Sequence, residues 1–474
     1  MTRFGEPCSL YYQGCFASVR EVIAYAVRER RRIMARSDLF DSLIDASGLP
    51  ERIRAFICWN FHLHLGNSWL LRRAAGGVFF TNYEGGTGYF STIDVEHSLA
   101  LFYVLFWPQL LADQLELWAE TYARGNRLRP HSFGPGHRIM EHDVGGGFAI
   151  DEQIYIQGPM PVEENCNYLL LQSLYYRFTG DLGLFTRHRE LCRELAQYVL
   201  DSDTTGNGLP DRGTSNTLDC FDPLFRDMED QVFLSMKAGA ALSSLAELLE
   251  DTAAALETGR QERAGRAERT AGGSASGANR DPDAARFRAR SERIFATLDS
   301  QAWRVDHYVV TISPRKPQGW SQASPLSLNG LAYLLFTGRA LPLPAARLRA
   351  DLQRTLTDYT IWPSMGVWRD LVAGYFGIDP AGAYDFRPDF RGDMYPRSFN
   401  SIGFVLARAG IGVDLPGRRI RVTSPRDGEY PLPFLADWNR GVVPVLMVRS
   451  GKAAIHPQTD RSAKLCVEIA PLET

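Results

Sequence analysis

Lysine is nearly missing from this chain: only Lys237, Lys316, Lys452 and Lys464 stand among 52 basic residues. No excess charge replaces it. The formal net charge is -3 over 474 residues, which gives no electrostatic reason to expect nucleic acid or a membrane surface as partner. Paired cysteines are missing too. Cys8, Cys15, Cys58, Cys166, Cys192, Cys220 and Cys466 show no CxxC spacing, so they read as reduced thiols, not a disulfide framework or a zinc site. The start, "MTRFGEPCSLYYQGC", lacks a basic segment followed by an apolar core, which speaks against a signal peptide. No apolar run reaches the ~18 to 20 residues that span a bilayer. The expectation is a cytoplasmic soluble protein without a membrane partner; a homo-oligomer is left open.

What is present is helical periodicity. Apolar residues recur at three- and four-residue steps in segments from "FASVREVIAYAVRERRRIMARSDLFDSLIDA" to "SFNSIGFVLARAG". One of these, "RIRAFICWNFHLHLGNSWLL", reads as a single helix. About ten to twelve helices alternate with long loops rich in glycine, proline and aromatics, and those loops hold the conspicuous polar residues. Residues 257–284 have no large apolar side chain and read as a flexible surface insertion. After about residue 412, short β-branched runs broken by Pro and Gly predict a small β-rich segment over 412–474, packed on a helical domain of residues 1–411.

Several acids invite a chemical reading. Glu84 lies in "YEGGTGYF", starts no helix, and is flanked by glycines that suggest close backbone approach. Asp143 follows His142 in "EHDVGGG", and Asp219 lies in "TSNTLDCFD". Asp94 stands where a helix begins, a position that also suits a first-turn acid. Two carboxylates facing one cleft are the minimum equipment for glycoside hydrolysis. Weaker signals were weighed as well. "DSDTTGNGLPD" alternates oxygen side chains (Asp201, Asp203, Asn207, Asp211) as calcium loops do, but Arg212 stands where a bidentate Glu belongs, so a polar turn is favoured. His62 and His64 fall on different helix faces, against a metal pair. No other cofactor is expected.

"YEGGTGYFSTIDVEHSLALFYVLFWP", "HDVGG", "EENCNYLLLQSLYYRFTGD", "GNGLPDRGTSNTLD" and "YPRSFNSIG" come in the order of the segments they resemble in glycoside hydrolase families 52 and 116, the β-xylosidases and the non-lysosomal glucosylceramidases. The resemblance implies an (α/α)6 barrel and a retaining β-glycosidase acting on a β-linked xyloside or glucoside. It implies Glu84 as nucleophile and Asp219 as general acid/base, with Asp94, His142, Asp143, Thr217 and Arg397 around the bound sugar and Tyr89 as a stacking candidate. Those families carry a large N-terminal β-sandwich, of which the 83 residues before Glu84 leave no room for most. A carbohydrate-binding relic without catalysis, and a transglycosylase or phosphorolytic relative, are the rival expectations.

Overall fold

The computed structural model describes residues 1–472 apart from 86–87, 125–138, 148, 151–153, 155–159, 218–227, 268–280, 316–318, 320–329, 358–362 and 379–395. The protein is mostly helical with a few strands. Its N-terminal end is not wholly helical, as the periodicity had suggested. Strands β1 (Thr2–Arg3), β2 (Glu6–Leu10), β3 (Ser68–Arg73) and β4 (Val78–Asn82) pair antiparallel in that order. Helices α1 (Val19–Arg28), α2 (Arg30–Ala46) and α3 (Glu51–Asn67) intervene between β2 and β3. The run read as one helix to Leu71 therefore breaks at Ser68. Trp69, Leu70 and Leu71 pair across to Thr81, Phe80 and Phe79, and the ladder outweighs helical continuation.

The helical body follows: α4 (Ile93–Phe106), α5 (Pro108–Arg124), α6 (Pro161–Thr179), α7 (Gly183–Arg187), α8 (Arg189–Asp201), α9 (Val232–Ala267), α10 (Pro282–Thr297), α11 (Gly330–Phe336), α12 (Ala345–Thr357), α13 (Pro363–Tyr375) and α14 (Phe404–Ala407). Trp107 separates α4 from α5 because the residue before proline is crowded out of helical geometry. Gly180, at φ 75°, ends α6 in the left-handed turn that glycine takes without strain. Besides the short α11 and α14, two long helices are buried nearly all round. Every residue of α4 except Phe106, and every residue of α6 except Thr179, lies inside. α6 packs against α4, α5, α8, α9 and α11, so it forms the axis of the core. The stretch Val232–Thr258 of α9 is long and apolar enough to cross a membrane, yet 89% of its most apolar window is buried in the protein. α9 also runs on to Ala267, into the segment expected to be a flexible insertion, whose residues 268–280 lie outside the described ones.

The C-terminal part is β-structure: β5 (Ile411–Asp414), β6 (Arg419–Val422), β7 (Gly428–Pro431), β8 (Val445–Arg449), β9 (Lys452–His456) and β10 (Cys466–Ile469). They form two three-stranded sheets, β10-β6-β5 and β7-β8-β9. β5 docks on the helices where Gly412 meets Gly338; a Cβ on Gly412 would lie 2.4 Å from the Gly338 Cα.

Candidate active site

β4 leads straight into a hairpin. Tyr83 bridges Phe90, and the Glu84 N–H donates to the Tyr89 carbonyl at 2.8 Å. Gly85 and Gly88 turn the chain with φ of 75° and 86°. Ser91 then takes a left-handed φ of 44°, unusual for serine. It is held there because its N–H donates to Asn82 at 2.7 Å, its Oγ meets Thr81 at 2.9 Å, and its carbonyl accepts from the Trp118 indole at 2.8 Å. This turn throws Thr92 to the head of α4. Its hydroxyl donates to Glu84 Oε2 at 2.5 Å and does not cap the helix. Glu84 is thereby fixed in a buried position at the mouth of α4.

The second motif lies against the first. The Phe90 N–H donates to Gly145, the Val144 N–H to Phe90, and the Ile93 N–H to the His142 carbonyl, all within 3.0 Å. The glycines here serve this loop-on-loop contact. A Cβ on Gly145 would sit 2.2 Å from the Ala149 carbonyl, and one on Gly146 2.8 Å from that of Gly88. The expectation that such glycines make room for a ligand thus meets a plainer reason at these two positions.

The side chains converge through a relay. Lys237 on α9 donates to Glu163 Oε1 at 2.6 Å, and the Thr217 N–H donates to Glu163 Oε2 at 2.8 Å. The Thr217 hydroxyl donates to Asp94 Oδ2 at 2.8 Å, and Asp94 Oδ1 faces His142 Nε2 at 4.0 Å. His142 Nδ1 meets Asp143 Oδ2 at 3.1 Å, while Asp143 Oδ1 accepts from the N–H groups of Gly145 and Ile154. The Tyr89 ring stands edge-on to His142 at 5.6 Å. Five segments far apart in sequence meet here.

Their titration is strongly perturbed. Burial alone would depress His142, but the hydrogen bond to Asp143 and the charges of Asp94, Asp143 and Glu164 outweigh it and raise its pKa to about 9. Glu164, the neighbour of Glu163, is driven well above the usual carboxylate range by burial, then by the charge of Asp94. Its Oε2 accepts from Asn167 at 3.1 Å, and its Oε1 is buried without a hydrogen-bond partner among the described residues. On the Glu84 side, burial raises Glu96 to about 8; Tyr103 hydrogen-bonds it at 2.8 Å, and the Glu84 charge adds to the rise. Asp94, His142 and Glu164 each offer one ligand atom within 4.8 Å of the others, which makes them, among the described residues, a group that could hold a metal ion.

Glu84, Tyr89, Asp94, His142, Asp143 and Thr217 therefore lie along one connected wall. Asp219 is outside the described residues, two positions beyond Thr217. Arg397 lies on the 3-10 turn Pro396–Gly403, with its side chain outside the description. Trp368 is a core residue whose indole donates to Ser98. In the loop weighed for calcium, Asp203 and Asp211 accept from the N–H groups of Thr204, Thr205, Gly206 and Gly208, and Arg290 pairs with Asp203. Asn207 donates to Asp230, and Asp201 accepts from Gln197. His64 is buried and pushed down to about 3 by that burial, while His62 faces solvent. Glu163, Glu164 and Lys237 were not singled out by sequence reading. The available signal was two adjacent acids in the first turn of a helix with no polar face.

Residues 2–146 match glycosyl hydrolase family 52. No curated protein matches the chain. Among solved structures, the chain is similar to the GH78 family rhamnosidase of Bacillus sp. GL1 with a TM-score of 0.48 and 15% identity, covering 80% of this chain and 38% of that one. It is similar to the alpha-L-rhamnosidase from Dictyoglumus thermophilum with a TM-score of 0.44 and 10% identity, covering 77% and 39%. The chain thus spans less than two-fifths of either. Over the segment that carries Glu84, Asp94 and His142, the match supports a glycoside hydrolase similar to family 52.

Proposed function

We propose that this protein is a retaining β-glycosidase, built on an (α/α)6 barrel, that cleaves a β-linked xyloside or glucoside. The observation that carries the reading is the relay from Lys237 through Glu163, Thr217 and Asp94 to His142, set beside a buried Glu84. The Glu84 carboxylate attacks the anomeric carbon while Asp219 passes its proton to the departing oxygen. Water deprotonated by Asp219 then hydrolyses the glycosyl-enzyme. Such a mechanism asks for carboxyl groups ~5 to 5.5 Å apart. Asp94 and the His142 imidazolium hold ring hydroxyls, and protonated Glu164 offers one more hydrogen bond to the same sugar. Fixed dipoles and charges of this kind act without reorganising as positive charge builds at the anomeric carbon. Lys237 and His142 are both engaged by carboxylates, which favours water over phosphate as the acceptor.

The test is a panel of aryl β-xylosides and β-glucosides with proton NMR of the first-formed anomer. The expected outcome is release with retention, abolished by Glu84→Gln and reduced by about 10² to 10⁴ in Asp219→Ala. No release from any sugar would make the protein a carbohydrate-binding relic. Release that survives both substitutions would remove these two residues from the chemistry.

A further inference from the structure

Glu164 is fully buried on the first turn of α6, yet only one of its carboxyl oxygens is matched. Oε2 accepts from Asn167 at 3.1 Å, while Oε1 has no hydrogen-bond partner among the described residues. An unmatched oxygen so deep in a protein is rare and asks for a ligand. Glu164 shares its place with Asp94, from the first turn of α4, and His142, from the loop between α5 and α6. One ligand atom of each lies within 4.8 Å of the others, and all three residues are more than nine-tenths buried.

Each of the three is braced from behind. The Thr217 hydroxyl donates to Asp94 Oδ2, Asp143 Oδ2 meets His142 Nδ1, and Asn167 donates to Glu164 Oε2. Asp143 is itself fixed by the N–H groups of Gly145 and Ile154. Metal centres are built in this way: an outer partner orients each ligand, and a carboxylate behind a histidine turns the other ring nitrogen toward the ion. Here that nitrogen, His142 Nε2, stands 4.0 Å from Asp94 Oδ1. Zinc bonds of ~2.0 to 2.1 Å in a tetrahedron put ligand atoms about 3.4 Å apart, so the three side chains need to close by no more than about 1.5 Å. One imidazole and two carboxylates suit zinc better than calcium or magnesium, which prefer shells made of oxygen. Two carboxylates also neutralise a dication, at an end of α6 otherwise rich in buried acid. The fourth position falls to water.

We propose that Asp94, His142 and Glu164 form a site for a single Zn²⁺ ion, and that the bound ion and a sugar exclude each other. The second clause rests on the glycosidase function proposed above, in which the same three side chains hold ring hydroxyls. The test starts with exposed Cys15, Cys58 and Cys466 replaced by Ser, which removes the thiols most open to zinc. Equilibrium dialysis against micromolar Zn²⁺, read by elemental analysis, is expected to give one ion per chain. Glu164→Gln removes a ligand charge and keeps the side-chain shape; it is expected to weaken binding by more than about 100-fold with unchanged far-UV circular dichroism, and Asp143→Asn by about 10- to 100-fold. Co²⁺ in place of zinc is expected to give a d–d spectrum without a thiolate charge-transfer band, lost in Glu164→Gln. In hydrolysis of an aryl glycoside, zinc is expected to raise KM and leave kcat unchanged. No bound ion overturns the proposal, and so does binding that Glu164→Gln leaves intact, which would place the ion elsewhere. An ion bound at this site with KM unmoved, or hydrolysis that requires zinc, overturns the exclusion of the sugar. Absence of hydrolysis with and without zinc counts against the glycosidase function and against the exclusion that rests on it, while the dialysis and Co²⁺ results decide the metal site by themselves.

Discussion

α6 gathers charge at both of its ends and treats it in opposite ways. At the N-terminal end, the carboxyl groups of Asp94, Asp143, Glu163 and Glu164 face two cations, His142 and Lys237. At the other end, Arg177 meets Glu247, Asp251 and Asp414 within 3.4 Å. There a cavity of about 540 Å³ is lined by Arg177, Arg339, Arg419 and Arg421 with Glu247, Asp251, Asp414 and Glu468. Four guanidinium groups balance four carboxylates. Such a network fastens β5 and β6 to the helices and has little capacity left for a ligand. The N-terminal end holds more buried acid than it can neutralise, and it keeps one acid protonated to do so. Buried charge left out of balance is costly to a fold, and sites of chemistry are where that cost is tolerated.

Substitutions at the two ends should therefore separate activity from stability. The largest effect is expected from Asp94→Asn: kcat/KM falls by about 10² to 10³, as for loss of one charged transition-state contact, while the melting midpoint holds or rises. The midpoint holds because the amide oxygen still accepts from Thr217 and one buried charge is gone. Steady-state kinetics beside calorimetry would show it, and unchanged turnover would reduce Asp94 to a helix-end acid. Asp414→Ala should do the reverse. It strips Arg177 and Arg419 of one carboxylate partner each, costing about 2 to 3 kcal/mol in urea unfolding with turnover per folded molecule intact.

The third prediction concerns pH. Glu96 keeps its proton up to about 8 in the fold but only to about 4.5 in the unfolded chain, so the folded state binds more protons between those values and stability falls as pH rises. His142 acts in the same direction between its ordinary 6.5 and about 9: its contribution is complete below 6.5 and is lost as pH climbs through 9. Thermal midpoints should decline from pH 6 to 9, and Glu96→Gln should remove on the order of 2 kcal/mol of that decline between pH 6 and 8. A midpoint independent of pH would mean both groups titrate normally. The smallest effect belongs to Arg419→Ala, whose half-exposed side chain makes a pair worth roughly 0.2 to 1 kcal/mol.

Much of the helical body could be read from spacing, and α4, apolar on nearly every side, obeys a simple physical rule: such a segment has to be inside. The hairpin bearing Glu84 was legible in part, since its glycines do take left-handed turns. The β3 strand was not, because Trp69 to Leu71 would serve a helix as well until β4 lies beside them. Glu163 and Lys237 were hidden for the same kind of reason. Each looks like an ordinary helix charge until α9 packs on α6 and brings the Lys237 ammonium against the Glu163 carboxylate.

The amino-acid order by itself decided that the chain is dominated by helices, which of their faces are apolar, and that acids sit on turns next to a buried helix, because these follow from interactions between near neighbours in the chain. Only the tertiary structure decided which acids share a wall, which of them keep a proton, and which arginines are neutralised. Those properties depend on burial and on charges brought within a few ångströms by residues as distant as Asp94 and Thr217.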